Sequence, residues 1–171
     1  DSITGNWGGP DFIDVMAAID FGIDKGWIDS ERMAVYGWSY GGILTNHAIT
    51  KTDRFDAAIT GASATLYVTN YGHDQYQRWW EEELGFPWLP ENKDTWDSIS
   101  PFYALDKVNT PTLVVGGEED WNVPIINSEQ LYIVIKRKGV PTRLVVYPNE
   151  YHSLSIPSYE KHLYEQYFDW L

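Results

Sequence analysis

The stretch Met33-Ala34-Val35-Tyr36-Gly37-Trp38-Ser39-Tyr40-Gly41-Gly42-Ile43-Leu44 decides the reading of this chain. Met33 to Tyr36 is a short apolar run that suits a buried strand, and Gly37 ends it. Beyond Gly41 and Gly42, Ile43, Leu44 and Ala48 fall at helical spacing, so strand, sharp turn and helix succeed one another. The turn itself, Gly37-Trp38-Ser39-Tyr40-Gly41, is an instance of G-x-S-x-G in the strand-to-helix context that exposes a serine hydroxyl at the end of a sheet. A serine on so tight a turn sits at strained backbone angles, and glycine two residues before and two after it is expected to remove the clashes that would block the turn. The hydroxyl then stands at the positive end of a helix, where developing negative charge is stabilised. The same pattern also arises as a plain strand-ending turn, so Ser39 needs partners before chemistry is assigned to it.

Upstream, Phe12, Val15, Met16, Ile19 and Ile23 predict an amphipathic helix from Asp11 to Lys25, with Pro10 at its start and Gly26 past its end. Downstream, strands are expected at Ala57 to Thr60, Thr112 to Val115 and Arg143 to Tyr147. Helices are expected from Asn127 to Lys138 and from about Ser158, where Leu163, Tyr164, Tyr167, Phe168 and Leu171 share a face. Strands alternating with helices predict an α/β fold, a mainly parallel sheet with helices on both faces. Residues 63 to 110 break the rhythm: Tyr67, Tyr71, Tyr76, Trp79, Trp80, Phe86, Trp88 and Trp96 stand among Gly, Pro and acidic residues, with a short helix near Gln75 to Leu84. This stretch reads as an aromatic-rich insertion within one compact unit.

Two further segments supply partners for Ser39. Gly116-Gly117-Glu118-Glu119-Asp120-Trp121-Asn122-Val123-Pro124 puts carboxylates at the C-terminal end of one predicted parallel strand, and Tyr147-Pro148-Asn149-Glu150-Tyr151-His152 puts an imidazole at the same end of another. Open α/β sheets build their sites at those ends. The chain order Ser39, Asp120, His152 is that of the α/β-hydrolases and not of the chymotrypsin or subtilisin folds. A serine hydroxyl is a weak nucleophile at neutral pH. A histidine that accepts its proton activates it, and a carboxylate on the other ring nitrogen fixes the tautomer and stabilises the imidazolium. Each residue also has an ordinary role: Asp120 would suit a helix cap and His152 a surface loop, and Glu118 and Glu119 are rivals for the acid. His47, His73 and His162 lack strand-end positions and suit surface or packing roles, and Glu81-Glu82-Glu83 suits a solvated helix face.

Gly37-Trp38-Ser39-Tyr40-Gly41-Gly42, the Gly-Glu-Glu-Asp-x-x-Val-Pro stretch at 117 to 124 and Pro-Asn-Glu-x-His at 148 to 152 resemble the signatures of the prolyl oligopeptidase family of serine peptidases. The separations of 81 and 32 residues between Ser39, Asp120 and His152 suit that family, as does Gly5-Asn6-Trp7-Gly8-Gly9-Pro10-Asp11 before the first helix. The stretch from Trp79 to Trp88 and the sequence after it are similar to acylaminoacyl-peptidase and dipeptidyl-peptidase-like members, and the likeness runs over essentially the whole chain.

The resemblance implies that residues 1–171 are the C-terminal part of an α/β-hydrolase catalytic domain. In it Ser39 is the nucleophile, His152 the base and Asp120 the orienting acid, with no metal or organic cofactor. It implies a peptidase acting on short peptides through an acyl-enzyme; a carboxylesterase or lipase with the same triad, and a chain inert apart from its N-terminal part, remain open readings. A β-propeller and several strands are expected ahead of this segment, which makes the N-terminal part of the same protein an expected partner. The Tyr40 backbone N–H is expected to serve as one oxyanion donor, and a tyrosine hydroxyl on an upstream loop outside this sequence as the other. By likeness to dipeptidyl-peptidase-like members, Tyr40, Tyr67 and Tyr71 would line the pocket for the residue preceding the scissile bond, and Asn122 would contact the substrate backbone. A core role suits Tyr67 and Tyr71 equally well.

Composition narrows the partners. With 12 basic against 25 acidic residues the formal charge is −13, which repels phosphate backbones and anionic lipid surfaces, so neither nucleic acid nor membrane is expected. The absence of cysteine excludes disulfides, thiolate zinc sites and a cysteine nucleophile within the chain, and fits cytoplasm or periplasm equally. The opening Asp1-Ser2-Ile3-Thr4 has neither an initiator Met nor a signal-peptide pattern and reads as the interior of a longer protein. Endo- or exo-cleavage, and association into a homo-oligomer, are left open.

Overall fold

In the computed structural model, which describes residues 3–171, four strands form one parallel sheet: β1 (Ala34–Trp38), β2 (Ala57–Gly61), β3 (Thr112–Gly117) and β4 (Thr142–Tyr147), side by side in that order. The helices are α1 (Pro10–Asp24), α2 (Tyr40–Lys51), α3 (Gln77–Leu84), α4 (Lys93–Ile99), α5 (Ile126–Arg137) and α6 (Pro157–Trp170). β1 runs two residues beyond the apolar run that predicted it, because Gly37 and Trp38 continue the backbone ladder opposite Thr60 and Gly61. The ladder needs backbone groups and not apolar side chains. Bare Gly61 also receives the Trp38 ring, which a Cβ would meet at 2.1 Å.

Alternation along the strands sorts the core into two layers. Ala58, Val114 and Leu144 face one side, where Ile49 of α2 and Leu131 and Ile135 of α5 cover them. Ile59, Leu113, Val115 and Tyr147 face the other, where Leu163, Tyr167 and Trp170 of α6 pack. The parallel sheet with helices on both faces is therefore as the sequence predicts. α1 begins at Pro10, whose fixed φ suits a first helical turn, and it lays Phe12, Met16, Ile19 and Ile23 against Met33, Ala48 and Phe55.

Between β2 and β3 the aromatic stretch folds into α3, α4 and three short 3₁₀ turns, Tyr67–Thr69, Pro90–Asn92 and Pro101–Lys107. Trp7, Tyr67, Trp80, Leu84, Trp96 and Ile99 form its core. α4 lies outside the helix expected from sequence because its seven residues are too few to establish a period. The end of the stretch is not peripheral: Leu105 and Val108 are fully buried in the layer that holds Val114 and Leu131. Among the described residues no helix is long and apolar enough to cross a membrane.

Candidate active site

Ser39 sits between β1 and α2 at φ 57° and ψ −122°, a left-handed conformation that costs a non-glycine residue roughly 1–3 kcal/mol. Its N–H is tied to Gly61 O at 2.9 Å, which helps to hold the turn. Gly37 is indispensable to this geometry, since a Cβ there would lie 2.1 Å from Gly41 O. The expectation for Gly41 needs correction. A Cβ on Gly41 would meet nothing within 4 Å, whereas one on Gly42 would lie 2.6 Å from Ser63 Cβ and 2.7 Å from Gly61 O. The glycines the packing demands are therefore Gly37 and Gly42, where helix and strand come closest.

Asp120 and His152 come together with Ser39. His152 Nδ1 is 2.8 Å from Asp120 Oδ2, and His152 Nε2 is 2.8 Å from Ser39 Oγ. Asp120 is buried, and its other oxygen accepts the N–H groups of Asn122 at 2.8 Å and Val123 at 2.9 Å. That turn holds Oδ1 on backbone donors and leaves Oδ2 on the imidazole. It does not cap α5, whose N-cap is Ile125. Glu118 and Glu119 remain exposed; Glu118 Oε2 accepts only the Asn149 N–H, at 3.3 Å. The His152 loop is fastened to the sheet from two sides: Trp38 Nε1 donates to His152 O at 2.8 Å, and Glu119 N–H donates to Glu150 O at 2.9 Å. Gly117 permits this approach, since a Cβ there would fall 2.1 Å from Tyr151 O.

The Tyr40 N–H opens α2 beside Ser39 and has no acceptor among the described residues, as suits a donor to a developing oxyanion. The Tyr40 phenol donates to Asp11 Oδ2 at 2.6 Å. Burial, and then that bond, raise the phenol well above its ordinary pKa.

A cavity of about 370 Å³ opens at Ser39 and His152 and is walled by Tyr40, Ile43, Ala64, Trp79, Trp80 and Val123, with Asn70, Tyr76 and Asn122 as polar neighbours. Of the residues expected to contact substrate, Tyr40 and Asn122 border this cavity; Tyr67 and Tyr71 do not. Tyr67 is 0% exposed and packs behind the wall, its ring 5.7 Å from Trp80 and its hydroxyl 3.3 Å from His47 Nε2. Tyr71 turns away, donating to Glu81 Oε1 at 2.6 Å and meeting Trp88 and Trp96 edge-on. The tight turn at Tyr67–Thr69 puts the two residues Tyr67 and Asn70 on different sides: Tyr67 enters the core among Trp7, Trp80 and Ile99, and Asn70 comes to the cavity. Sequence reasoning therefore missed Asn70, and it marked Trp79 and Trp80 only as aromatic. Of the other histidines, His47 is buried, His162 shares a 3.0 Å contact with the Tyr147 hydroxyl, and His73 is exposed beside Trp121.

The profile of the prolyl oligopeptidase family matches residues 1–171. The chain belongs to the prolyl oligopeptidase family. It is 36% identical over 156 residues to the uncharacterized peptidase YuxL of Bacillus subtilis (strain 168), covering 90% of this chain and 24% of that protein. It is 34% identical over 169 residues to acylamino-acid-releasing enzyme 1 of Oryza sativa subsp. japonica, covering 91% of this chain and 21% of that protein. Among solved structures, the acylaminoacyl peptidase of Pyrococcus horikoshii superposes with a TM-score of 0.86 at 26% identity, over 98% of this chain and 29% of its own. This segment of the prolyl oligopeptidase family, similar to its acylaminoacyl-peptidase branch, has the α/β-hydrolase architecture in part. It spans about a quarter of the length of the curated relatives it matches.

Proposed function

We propose that this chain carries the reacting groups of a serine peptidase that hydrolyses short peptides, with Ser39 as nucleophile, His152 as general base and Asp120 as orienting acid. The observation that carries the reading is the run of two 2.8 Å contacts, Asp120 to His152 to Ser39, at a strained turn opening onto a cavity.

In this mechanism Ser39 Oγ attacks the scissile carbonyl carbon as His152 Nε2 takes its proton, and Asp120 stabilises the imidazolium through Nδ1–H. The carbonyl oxygen, now negative, points at the Tyr40 N–H; the second donor is proposed to come from the N-terminal part of the longer protein. Collapse of the tetrahedral adduct breaks the C–N bond, and His152 returns the proton to the leaving amine. Water then adds to the acyl-Ser39 ester by the same proton path and releases the acid. The apolar cavity takes the side chain that precedes the scissile bond. Membership of the family, and the likeness to acylamino-acid-releasing enzymes, support a peptide substrate.

The test is covalent labelling of the full-length protein with a fluorophosphonate, followed by turnover of peptide anilides and of short acyl esters. Labelling at Ser39 that is lost in Ser39→Ala, with anilide turnover, is expected. Ester turnover alone would indicate a carboxylesterase, and an unlabelled Ser39 would remove the hydrolase assignment.

A further inference from the structure

The cavity beside Ser39 is walled by apolar groups except at a few places, and one of these is recessed. Asn70 is 1% exposed, far less than Trp79 and Tyr76 at the mouth. Which end of its amide faces the cavity follows from a chain of hydrogen bonds that begins at backbone groups, whose polarity is fixed. The N–H groups of Thr65 and Leu66 donate to Asn127 Oδ1 at 3.0 and 3.4 Å. The other end of the Asn127 amide must then be Nδ2, which donates to Pro124 O at 3.2 Å and to Asn70 at 2.6 Å. The atom of Asn70 that accepts is therefore Oδ1, and Nδ2 is the end left over.

Every other polar group of Asn70 is engaged. Its N–H donates to Tyr67 O at 3.0 Å, and its O accepts from the N–H groups of His73 and Asp74 at 2.9 Å each. Nδ2 has no partner among the described residues, yet it is not sealed off as the two fully buried, unpaired side-chain atoms Gln130 Oε1 and Trp170 Nε1 are. The surface that Asn70 borders is the cavity.

We propose that Asn70 is a specificity-determining residue: its Nδ2 offers a hydrogen-bond donor inside the cavity, which selects a side chain with an apolar body and an acceptor at its tip. Tyrosine is the natural residue of that description, and phenylalanine is its counterpart without the acceptor. This rests on the peptidase reading above. A phenylalanine ring would gain the same contacts with Ile43, Trp79, Trp80 and Val123 but would cover the Asn70 N–H without pairing it. A buried donor left unpaired costs more than the bond itself contributes.

The test compares full-length wild-type protein with Asn70→Asp, which keeps the oxygen that Asn127 binds and replaces the cavity donor by an acceptor. Three peptide anilides differ only in the residue before the scissile bond: tyrosine, phenylalanine and 4-pyridylalanine, whose ring nitrogen accepts but cannot donate. Wild type is expected to favour tyrosine over phenylalanine in kcat/KM by at least about fivefold. In Asn70→Asp the 4-pyridylalanine to phenylalanine ratio is expected to fall at least about fivefold, while tyrosine, which can donate to the new carboxylate, keeps its preference. Equal turnover of tyrosine and phenylalanine by wild type, or an unchanged 4-pyridylalanine ratio in the variant, overturns the inference while leaving the peptidase reading intact. Absence of all anilide turnover counts against the peptidase reading alone. The affinities of 4-methylpyridine and toluene, read from quenching of tryptophan fluorescence above pH 8, then decide the inference: their ratio must fall in Asn70→Asp, and a constant ratio refutes it.

Discussion

Glu150 offers the sharpest test of how the site is held together. It lies two residues before His152 and is 1% exposed, yet no lysine or arginine pairs with it among the described residues. Its charge is met by the loop itself: Oε2 accepts the Ser155 N–H at 2.6 Å, Oε1 accepts the Ile156 N–H at 3.1 Å, and the Ser155 hydroxyl donates at 3.2 Å. The segment from Glu150 to Ile156 is thus closed around one carboxylate, with His152 inside it. Glu150→Ala strands two backbone donors and opens a void. Hydrogen bonds to a charged acceptor contribute about 1.5–3 kcal/mol each. Ser155 and Ile156 are exposed, so water replaces part of this and the lower end applies, about 3 kcal/mol for the pair. For a domain of roughly this size the melting temperature then falls by about 6–12 °C.

Activity should suffer beyond stability, because His152 must keep hydrogen-bond reach of Ser39 and small misplacements at a reacting centre cost up to about 100-fold. Glu150→Gln keeps the shape and one acceptor but turns an N–H₂ towards a backbone N–H, so it should fall between wild type and Glu150→Ala. The assays are calorimetry and the rate of fluorophosphonate labelling at Ser39, read with anilide KM as a control, since Glu150 does not line the cavity. Labelling should slow about 10- to 100-fold in Glu150→Ala while KM stays nearly constant. A Glu150→Ala protein that melts within about 2 °C of wild type and labels at an unchanged rate would refute the clamp, because about 3 kcal/mol cannot be lost so quietly.

Other consequences follow from single contacts. Gly37→Ala places a Cβ 2.1 Å from Gly41 O, so Ser39 labelling should be abolished, whereas Gly41→Ala, with open space at its Cβ, should retain it. Burial, and then Lys51, push the His47 imidazole down to about 4 from its ordinary 6.5. His47 therefore contributes stability that is full above about pH 6.5 and is lost as pH falls towards 4, on the order of 3 kcal/mol, and His47→Gln should flatten denaturant stability across that window. Burial raises the Asp11 carboxyl, but the Tyr40 hydroxyl and the N–H groups of Gly8 and Phe12 outweigh it and hold the group below its ordinary 3.8. Its contribution is present above that value and lost as pH falls through the lower one. Tyr40→Phe should accordingly move the acid-unfolding midpoint, followed by circular dichroism, to higher pH.

The residues proposed as reacting groups were legible because each is marked by the backbone. A serine between Gly37 and Gly42, and an acid and an imidazole just past strand ends, stand where the parallel ladder brings three C-terminal edges together. Period and punctuation narrow such positions to strand ends, while the choice of Asp120 over its neighbours Glu118 and Glu119 rests on the family resemblance. The cavity has no such mark. Ile43 comes from α2, Ala64 from the loop after β2, Trp80 from α3 and Val123 from the loop after β3, and no spacing in the chain relates them.

Tyr67 and Asn70 show where that difference bites. They stand three residues apart on a single turn, and it is the family resemblance that points to the tyrosine as a cavity wall, with a core role suiting it equally. Which of the two faces the cavity depends on where Trp7, Trp80 and Ile99 already lie, since those groups enclose the tyrosine ring. Even the polarity of the wall is settled at a distance: Asn127, in the first turn of α5, determines which atom of Asn70 meets a substrate because backbone N–H groups of Thr65 and Leu66 orient Asn127 first. Proposed catalytic positions in this chain are therefore a property of strand ends, and proposed selectivity is a property of packing between segments. A substitution at Asn127 should consequently alter tyrosine preference without touching substrate, by freeing the Asn70 amide to turn over.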